Sequence, residues 1–308
     1  MELVELLQHL VNGLSLGAVY AMIALGYTMV YGVLQLINFA HAEVFMLGAF
    51  GGFYAARWLP SFDPWPRSFL ILALAMTACA AVGYLIERVA YRPLRGGPRL
   101  NALITAIGVS MLLQAVGQLP WFMGPSPHFF PPILPHRTFV FPAGADAAGQ
   151  VAVTSTQLLT LLAAVALMVL LHRLVFHTKL GSAMRAVSFD LRTASLMGIR
   201  ATGIVAATFM FGSALAAAGG IFFAMNYPRI EATMGLALGL KAFVAAVVGG
   251  IGDVRGAMVG GFVIGLVEEL VAGYLTSSYR DAVVFGLLVV VLLLRPTGLF
   301  GRAAPEKV

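Results

Sequence analysis

Residues 6–42 contain no Asp, Glu, Lys or Arg. As one α-helix these 37 residues would extend about 56 Å, nearly twice the roughly 30 Å hydrocarbon core of a bilayer. The run must therefore hold one membrane span and the start of a second, with a break near Gly32 to Asn38. Further apolar runs follow at about 68–87, 100–122, 155–176 and 203–225, and three shorter ones at about 236–251, 256–275 and 281–295. The expected fold is an all-α membrane protein: a polytopic helical bundle of about eight or nine transmembrane segments, some of them broken. Residues 1–308 are read as a single transmembrane domain.

Composition removes the competing classes. Charged residues make up 10% of the chain, against about 25% in a soluble domain. With 60% hydrophobic residues and a mean hydropathy of +0.92, the chain is neither a soluble enzyme nor disordered. Its apolar runs are too long for the roughly 10-residue strands of a membrane β-barrel. The segment Met1–His9 has acids but no Lys or Arg, so it lacks the basic start of a cleaved signal peptide, and the first run is expected to remain as an anchor. The one cysteine, Cys79, lies inside an apolar run and has no intrachain partner for a disulfide.

The charges are unevenly placed. When the spans alternate, 13 of the 19 Lys/Arg fall on one side: Arg88, Arg92, Arg95, Arg99, Arg173, Lys179, Arg185, Arg192, Arg200, Arg255, Arg295, Arg302 and Lys307. Arg57, Arg67, Arg137, Arg229 and Arg280 fall on the other, and Lys241 sits within a span. The positive-inside rule makes the richer side cytoplasmic, with the N-terminus external and the C-terminus inside. The net charge of +6 is thus a topology signal and implies no nucleic acid.

Two loops stand out. The external one, about 124–154, carries prolines at 125, 127, 131, 132, 135 and 142. Thr138-Phe-Val-Phe-Pro142, a Gly/Asp/Ala turn region and Gln150-Val-Ala-Val-Thr154 read as a β-hairpin within it, functional or a plain spacer. The cytoplasmic loop, about 177–201, places Val187, Leu191, Ala194 and Met197 at helical spacing, with Asp190, Arg192 and Ser195 off that stripe. Gly198 can close this helix as its C-terminal glycine. Such a helix either lies on lipid headgroups or docks on a protein.

Within the spans, ionisable residues are costly and suggest function. His41 and Glu43 follow Asn38 at the start of the second span; Asn38 can cap that helix, or all three can line a path. Lys241 and Glu268 flank a glycine turn, where they can snorkel to an interface, pair with each other or line the path. Glycines recur at small-xxx-small spacing (13/17, 48/52, 235/239, 252/256, 256/260, 261/265), which serves close helix packing. Gly249-Gly250-Ile-Gly252 favours an interrupted helix with half-helix ends open to a charged ligand.

Several stretches together resemble one family. Ala194-x-x-x-Gly198-Ile199 after a basic segment is similar to the motif by which permeases of bacterial ABC importers dock on their ATPase. Asn38-Phe-Ala-His41, Gly239-Leu-Lys-Ala-Phe243, Gly249-Gly-Ile-Gly252, Gly256-Ala-Met-Val-Gly-Gly261 and Arg295-Pro-Thr-Gly298 resemble, in order, the LivH-type permeases of high-affinity branched-chain amino-acid importers. Two departures occur: Ala42 stands where a glycine is usual, and Asp253-Val-Arg255 replaces a more neutral, proline-containing turn.

The resemblance implies a permease subunit moving branched-chain or other apolar amino acids across the bacterial inner membrane. It implies a second homologous permease, two ABC ATPase subunits using ATP and Mg, and an external substrate-binding protein. The coupling helix would hold Arg185, Asp190, Leu191, Arg192, Ala194, Met197 and Gly198. The path would draw on Asn38, His41, Glu43, Lys241, Gly249, Gly250 and Glu268. Urea or short amides, carried by related permeases, are the alternative cargo.

The residues agree with a subunit that has no motor, cofactor or metal of its own. The sequence contains no G-x-x-x-x-G-K-[ST], no H-E-x-x-H and no G-x-S-x-G. No convergent Ser/His, paired Asp or metal ligands mark an intramembrane enzyme. A proton- or sodium-coupled transporter would use several acids at membrane depth, for which Glu43, Glu268 and Glu269 are the candidates.

Overall fold

The computed structural model describes residues 2–60, 63–95, 97–142 and 150–301. The turn expected between the hairpin strands, together with Arg302 and Lys307, lies outside them. The uncharged run forms α1 (Glu2–Leu34), and α2 (His41–Trp58) follows after a break at the expected place. Gln35 takes a left-handed φ of 53° and its N–H closes on Tyr31 O at 2.7 Å. The chain then folds back along α1: a Cβ on Gly26 would lie 2.3 Å from His41 Nε2. Gly26 precedes the end of α1 by eight residues, about 12 Å of helix. The second helix therefore begins inside the bundle rather than at its edge, with Asn38, His41 and Glu43 all buried.

The remaining helices are α3 (Pro64–Ile86), α4 (Arg99–Gly117), α5 (Ser155–His177), α6 (Lys179–Phe189), α7 (Leu191–Leu196), α8 (Ala201–Asn226), α9 (Met234–Gly249), α10 (Val254–Tyr274) and α11 (Arg280–Leu294). A π-helical turn, Glu87–Tyr91, extends α3. Among the described residues, seven helical stretches are long and apolar enough to cross a membrane, formed by α1, α3, α4, α5, α8, α10 and α11. The 16-residue α9 is apolar but shorter, and α2 is the polar-headed partner of α1.

Burial sorts these helices into an inner and an outer set. Of the most apolar stretch, 94% is buried in α1 and 72% in α8, against 17% in α5 and 6% in α11. α1 packs on α8, α9 and α10, and α2 fills the space between α8, α9 and α3. The α1–α10 seam explains the glycine spacing: a Cβ on Gly265 would meet the Gly17 backbone at 2.3 Å, so the two backbones touch. With lipid tails as apolar as the side chains, such contact is what holds helices together in a membrane.

The α9–α10 turn is closed by the chain's own tail. Gly250 turns with φ 110°, and Asp253 caps α10 by accepting from the backbone N–H groups of Arg255 and Gly256, each at 2.8 Å. Leu299 and Phe300 donate to the last carbonyls of α9, on Val248 and Gly249, at 2.9 Å each. Those carbonyls have no partner within the helix, so the two residues that follow the Arg295-Pro-Thr-Gly298 motif satisfy them from outside.

Among the described residues, four short strands lie at the other end. β1 (His128–Phe129) pairs antiparallel with β4 (Arg229–Ile230), pinning the proline-rich segment to the α8–α9 connection. β2 (Thr138–Pro142) and β3 (Gln150–Thr154) form the expected hairpin, register Thr138 to Thr154. Its second strand runs into α5 through a capping box, Thr154 with Gln157.

Candidate functional site

Three groups of residues carry polar chemistry. The first lies where α2 and α9 begin. Glu43, in the first turn of α2, accepts from Ser110 Oγ of α4 at 3.3 Å, while its Oε2 has no hydrogen-bond partner. Gly235 in the first turn of α9 is packed against it, so only a residue without a side chain fits there. The imidazole of His41 is fully enclosed, has neither nitrogen in hydrogen-bond geometry, and stacks at a tilt on Tyr27 with ring centroids 4.7 Å apart. Thr28 Oγ1, on the neighbouring turn of α1, is also without a partner. Buried polar atoms are normally satisfied, so a cluster of exceptions is informative. Asn38 does not cap α2, whose N-cap is Ala40 with no side-chain bond; it accepts instead from Tyr91 Oη at 3.0 Å.

Lys241 and Glu268 do not snorkel to an interface. Lys241 Nζ lies 2.8 Å from Glu268 Oε1 and 2.7 Å from Asp281 Oδ1, and Tyr20 Oη donates to Glu268 Oε2 at 2.8 Å. The four residues tie α1, α9, α10 and α11 together. Gly249 and Gly250 belong elsewhere: a Cβ on Gly250 would meet Gly301 N at 2.4 Å, so the tail fills the half-helix end expected to be open.

The second group is the α6–α7 segment. The sequence pattern reads as one helix, but the chain breaks at Asp190, which is extended (φ −156°, ψ 112°) and serves as N-cap of α7. Its Oδ1 accepts from the Thr193 N–H at 2.8 Å. The break divides the apolar stripe. Val187 and Ala194 are buried in the bundle, whereas Leu196 and Met197 are 87% and 80% exposed, Phe189 is 82% exposed, and Leu191 and Arg192 also face outward. Gly198, with φ 84°, closes α7 as expected: Ile199 N–H bonds to Ala194 O and Gly198 N–H to Ser195 O, both at 3.1 Å. Arg185 turns back, donating to Val175 O and covering the Phe176 ring at 5.5 Å.

The third group was not visible in the sequence. At the hairpin end, Glu269 is approached by Asn12 Nδ2, Arg280 Nη2 and His9 Nδ1, and Asn12 is held in turn by Gln157 and Gln8. Gln8 also brackets Ala152 of the hairpin, donating to its carbonyl at 3.0 Å and accepting from its N–H at 2.9 Å. These partners are up to 257 residues apart, beyond the reach of any local pattern.

Comparison with known proteins decides the family. The model of the branched-chain amino acid transport system permease component matches residues 9–292. The chain belongs to this permease family. It is 44% identical over 310 residues to the high-affinity branched-chain amino acid transport system permease protein BraD of Pseudomonas aeruginosa, covering 100% of this chain and 99% of the relative. It is 40% identical to LivH of Salmonella typhimurium, over 98% and 97% of the two chains. A more distant relative, the probable LivH permease of Methanocaldococcus jannaschii, is 26% identical over 91% of this chain. No solved structure matches it. The multi-pass helical architecture is the one expected of such a permease, and the family match spans seven of the nine helices longer than α6 entirely and most of the other two, α1 and α11.

Proposed function

We propose that this permease is the single-domain translocation subunit of an ABC importer for branched-chain or other apolar amino acids in the bacterial inner membrane. It works with a second homologous permease, two ATPase subunits and an external substrate-binding protein. All nine long helices, α2 and α9 included, contribute to the membrane-embedded bundle, with the N-terminus external and the tail cytoplasmic. The carrying observation is identity with branched-chain amino acid permeases along the whole of both chains. A partial match would support a shared fold without a shared role.

The α6–α7 segment is the coupling surface in this reading. Phe189, Leu196 and Met197 form an apolar projection on the side richest in Lys and Arg. Asp190 and Gly198 fix its two ends, so a push on the projection is passed to α5 and α8, the helices that flank it. Asn38, His41 and Glu43 line the route of the substrate: the unsatisfied polar atoms of His41 and Glu43 find partners when the closed bundle opens, and Asn38 lies three residues before His41. The Lys241–Glu268 bridge holds the four helices around that route.

The test is ATP-driven uptake of leucine by liposomes carrying the chain purified with its co-expressed neighbours. Leu196→Asp is expected to lower uptake about tenfold or more and to loosen ATPase co-purification, with the permease itself still folded. Full uptake by that variant sinks the coupling assignment. Uptake driven by a proton gradient without ATP sinks the importer reading.

A further inference from the structure

Glu268 and Glu269 are adjacent on α10, yet they are held in opposite ways. Glu268 has close partners on both oxygens, at 2.8 Å each. Glu269, only 13% exposed, has three neighbours, and all are distant: Asn12 Nδ2 at 3.4 Å, Arg280 Nη2 at 3.5 Å and His9 Nδ1 at 3.6 Å. Charge-assisted bonds normally close to about 2.7–2.9 Å. Arg280 Nε and His9 Nδ1 have no hydrogen-bond partner at all. A mostly buried carboxylate joined to a partly exposed guanidinium only by a long 3.5 Å contact, with Arg280 Nε unpaired, leaves bonding capacity on both.

Both groups line a cavity of about 490 Å³ at the hairpin end. That volume lies within the roughly 300–1,000 Å³ of small-molecule sites. The lining divides by element. α1, α5, α10 and α11 supply polar groups, among them Asn12, Gln157, Glu269 and Arg280. The proline-rich segment and the end of α8 supply the apolar ones, chiefly Phe130, Ile133 and Met225, together with the polar His136 and Asn226. Ile133, Leu134 and Met225 also line an adjoining apolar crevice of about 350 Å³.

We infer that this cavity is a binding subsite on the permease for a free zwitterionic α-amino acid with an apolar side chain. Glu269 takes the ammonium group and Arg280 the carboxylate, while the side chain lies toward Phe130 and Ile133. A ligand carrying both charges supplies each group with the close partner it lacks, and an ion of one sign would satisfy only one of them. The subsite gives the substrate a stopping place before the interior route. It rests on the importer reading for its place in transport, but not for its chemistry.

The test uses the purified full chain in lipid nanodiscs and equilibrium binding of radiolabelled leucine. Saturable binding is expected, with leucine amide and 4-methylpentanoate, which lack one charge each, competing at least tenfold more weakly. Glu269→Gln and Arg280→Gln should each weaken binding about tenfold, as loss of a bond to a charged group does. Leu134→Trp, which fills the cavity and leaves both charges, should weaken it as well, with an unchanged melting temperature. A folded wild-type chain that binds no leucine, or charge variants that bind as wild type, overturns the subsite. ATP-driven uptake is measured separately: uptake without binding defeats the subsite alone, and binding without uptake defeats the importer reading alone.

Discussion

Lys241 and Glu268 meet at 2.8 Å between α9 and α10, with side chains only 13% and 3% exposed. Each depends on the other, since removing one partner of a buried pair leaves an uncompensated charge and costs about 3–5 kcal/mol. Lys241→Met is therefore expected to lower the melting temperature in detergent sharply. Lys241→Met combined with Glu268→Gln should recover much of the loss, because no orphan charge remains. Equal melting of the single and double variants would mean that Asp281 and Tyr20 govern this junction instead.

The α1–α10 seam makes a steric prediction. Gly265 has no room for even a Cβ against the Gly17 backbone, and backbone cannot step aside as a side chain can. Gly265→Val should abolish recovery of monodisperse protein. Gly286→Ala on α11, where a Cβ meets nothing within 4 Å, is expected to change stability by less than about 0.5 kcal/mol. Similar yields for the two variants would contradict the packing described.

What the sequence made legible follows from range. Apolar runs located the long helices among the described residues, since a charge within the hydrocarbon is costly, and the uncharged 6–42 run was simply too long for one span. The hairpin was readable from alternation and prolines flanking a turn. The split at Asp190 was not, because a single acid off the apolar stripe is compatible with a continuous helix; only burial separates Val187 and Ala194 from Leu191 and Met197. Partners distant in the chain were equally hidden. Asn38 accepts from Tyr91, one oxygen of Glu43 from Ser110, and the Gly249 carbonyl from the Phe300 backbone, none of which a local motif encodes.

Gln8 fastens the hairpin to α1 through both atoms of its amide, which bracket Ala152. Gln8→Ala removes both bonds and leaves the β2–β3 ladder intact. Amide exchange at Ala152 should rise about five- to tenfold, the equivalent of one lost hydrogen bond of roughly 1 kcal/mol. Exchange on α10 should not change. Unchanged protection at Ala152 would show that strand pairing alone holds the hairpin in place.

Asp190 offers the sharpest separation of shape from charge. Its Oδ1 caps α7 through the Thr193 N–H, and its backbone carbonyl accepts from Ala194 at 3.0 Å. An asparagine at an N-cap accepts about as well as aspartate, whereas alanine there costs about 1 kcal/mol. Because α7 has only six residues, that loss should fray it and blunt the Leu196–Met197 projection, while the bundle is untouched. Asp190→Ala is thus expected to slow ATP-driven uptake several-fold at normal yield and melting temperature, and Asp190→Asn to stay close to wild type. If Asp190→Asn is as slow as Asp190→Ala, the negative charge itself acts at this surface, and the role assigned to the cap is wrong.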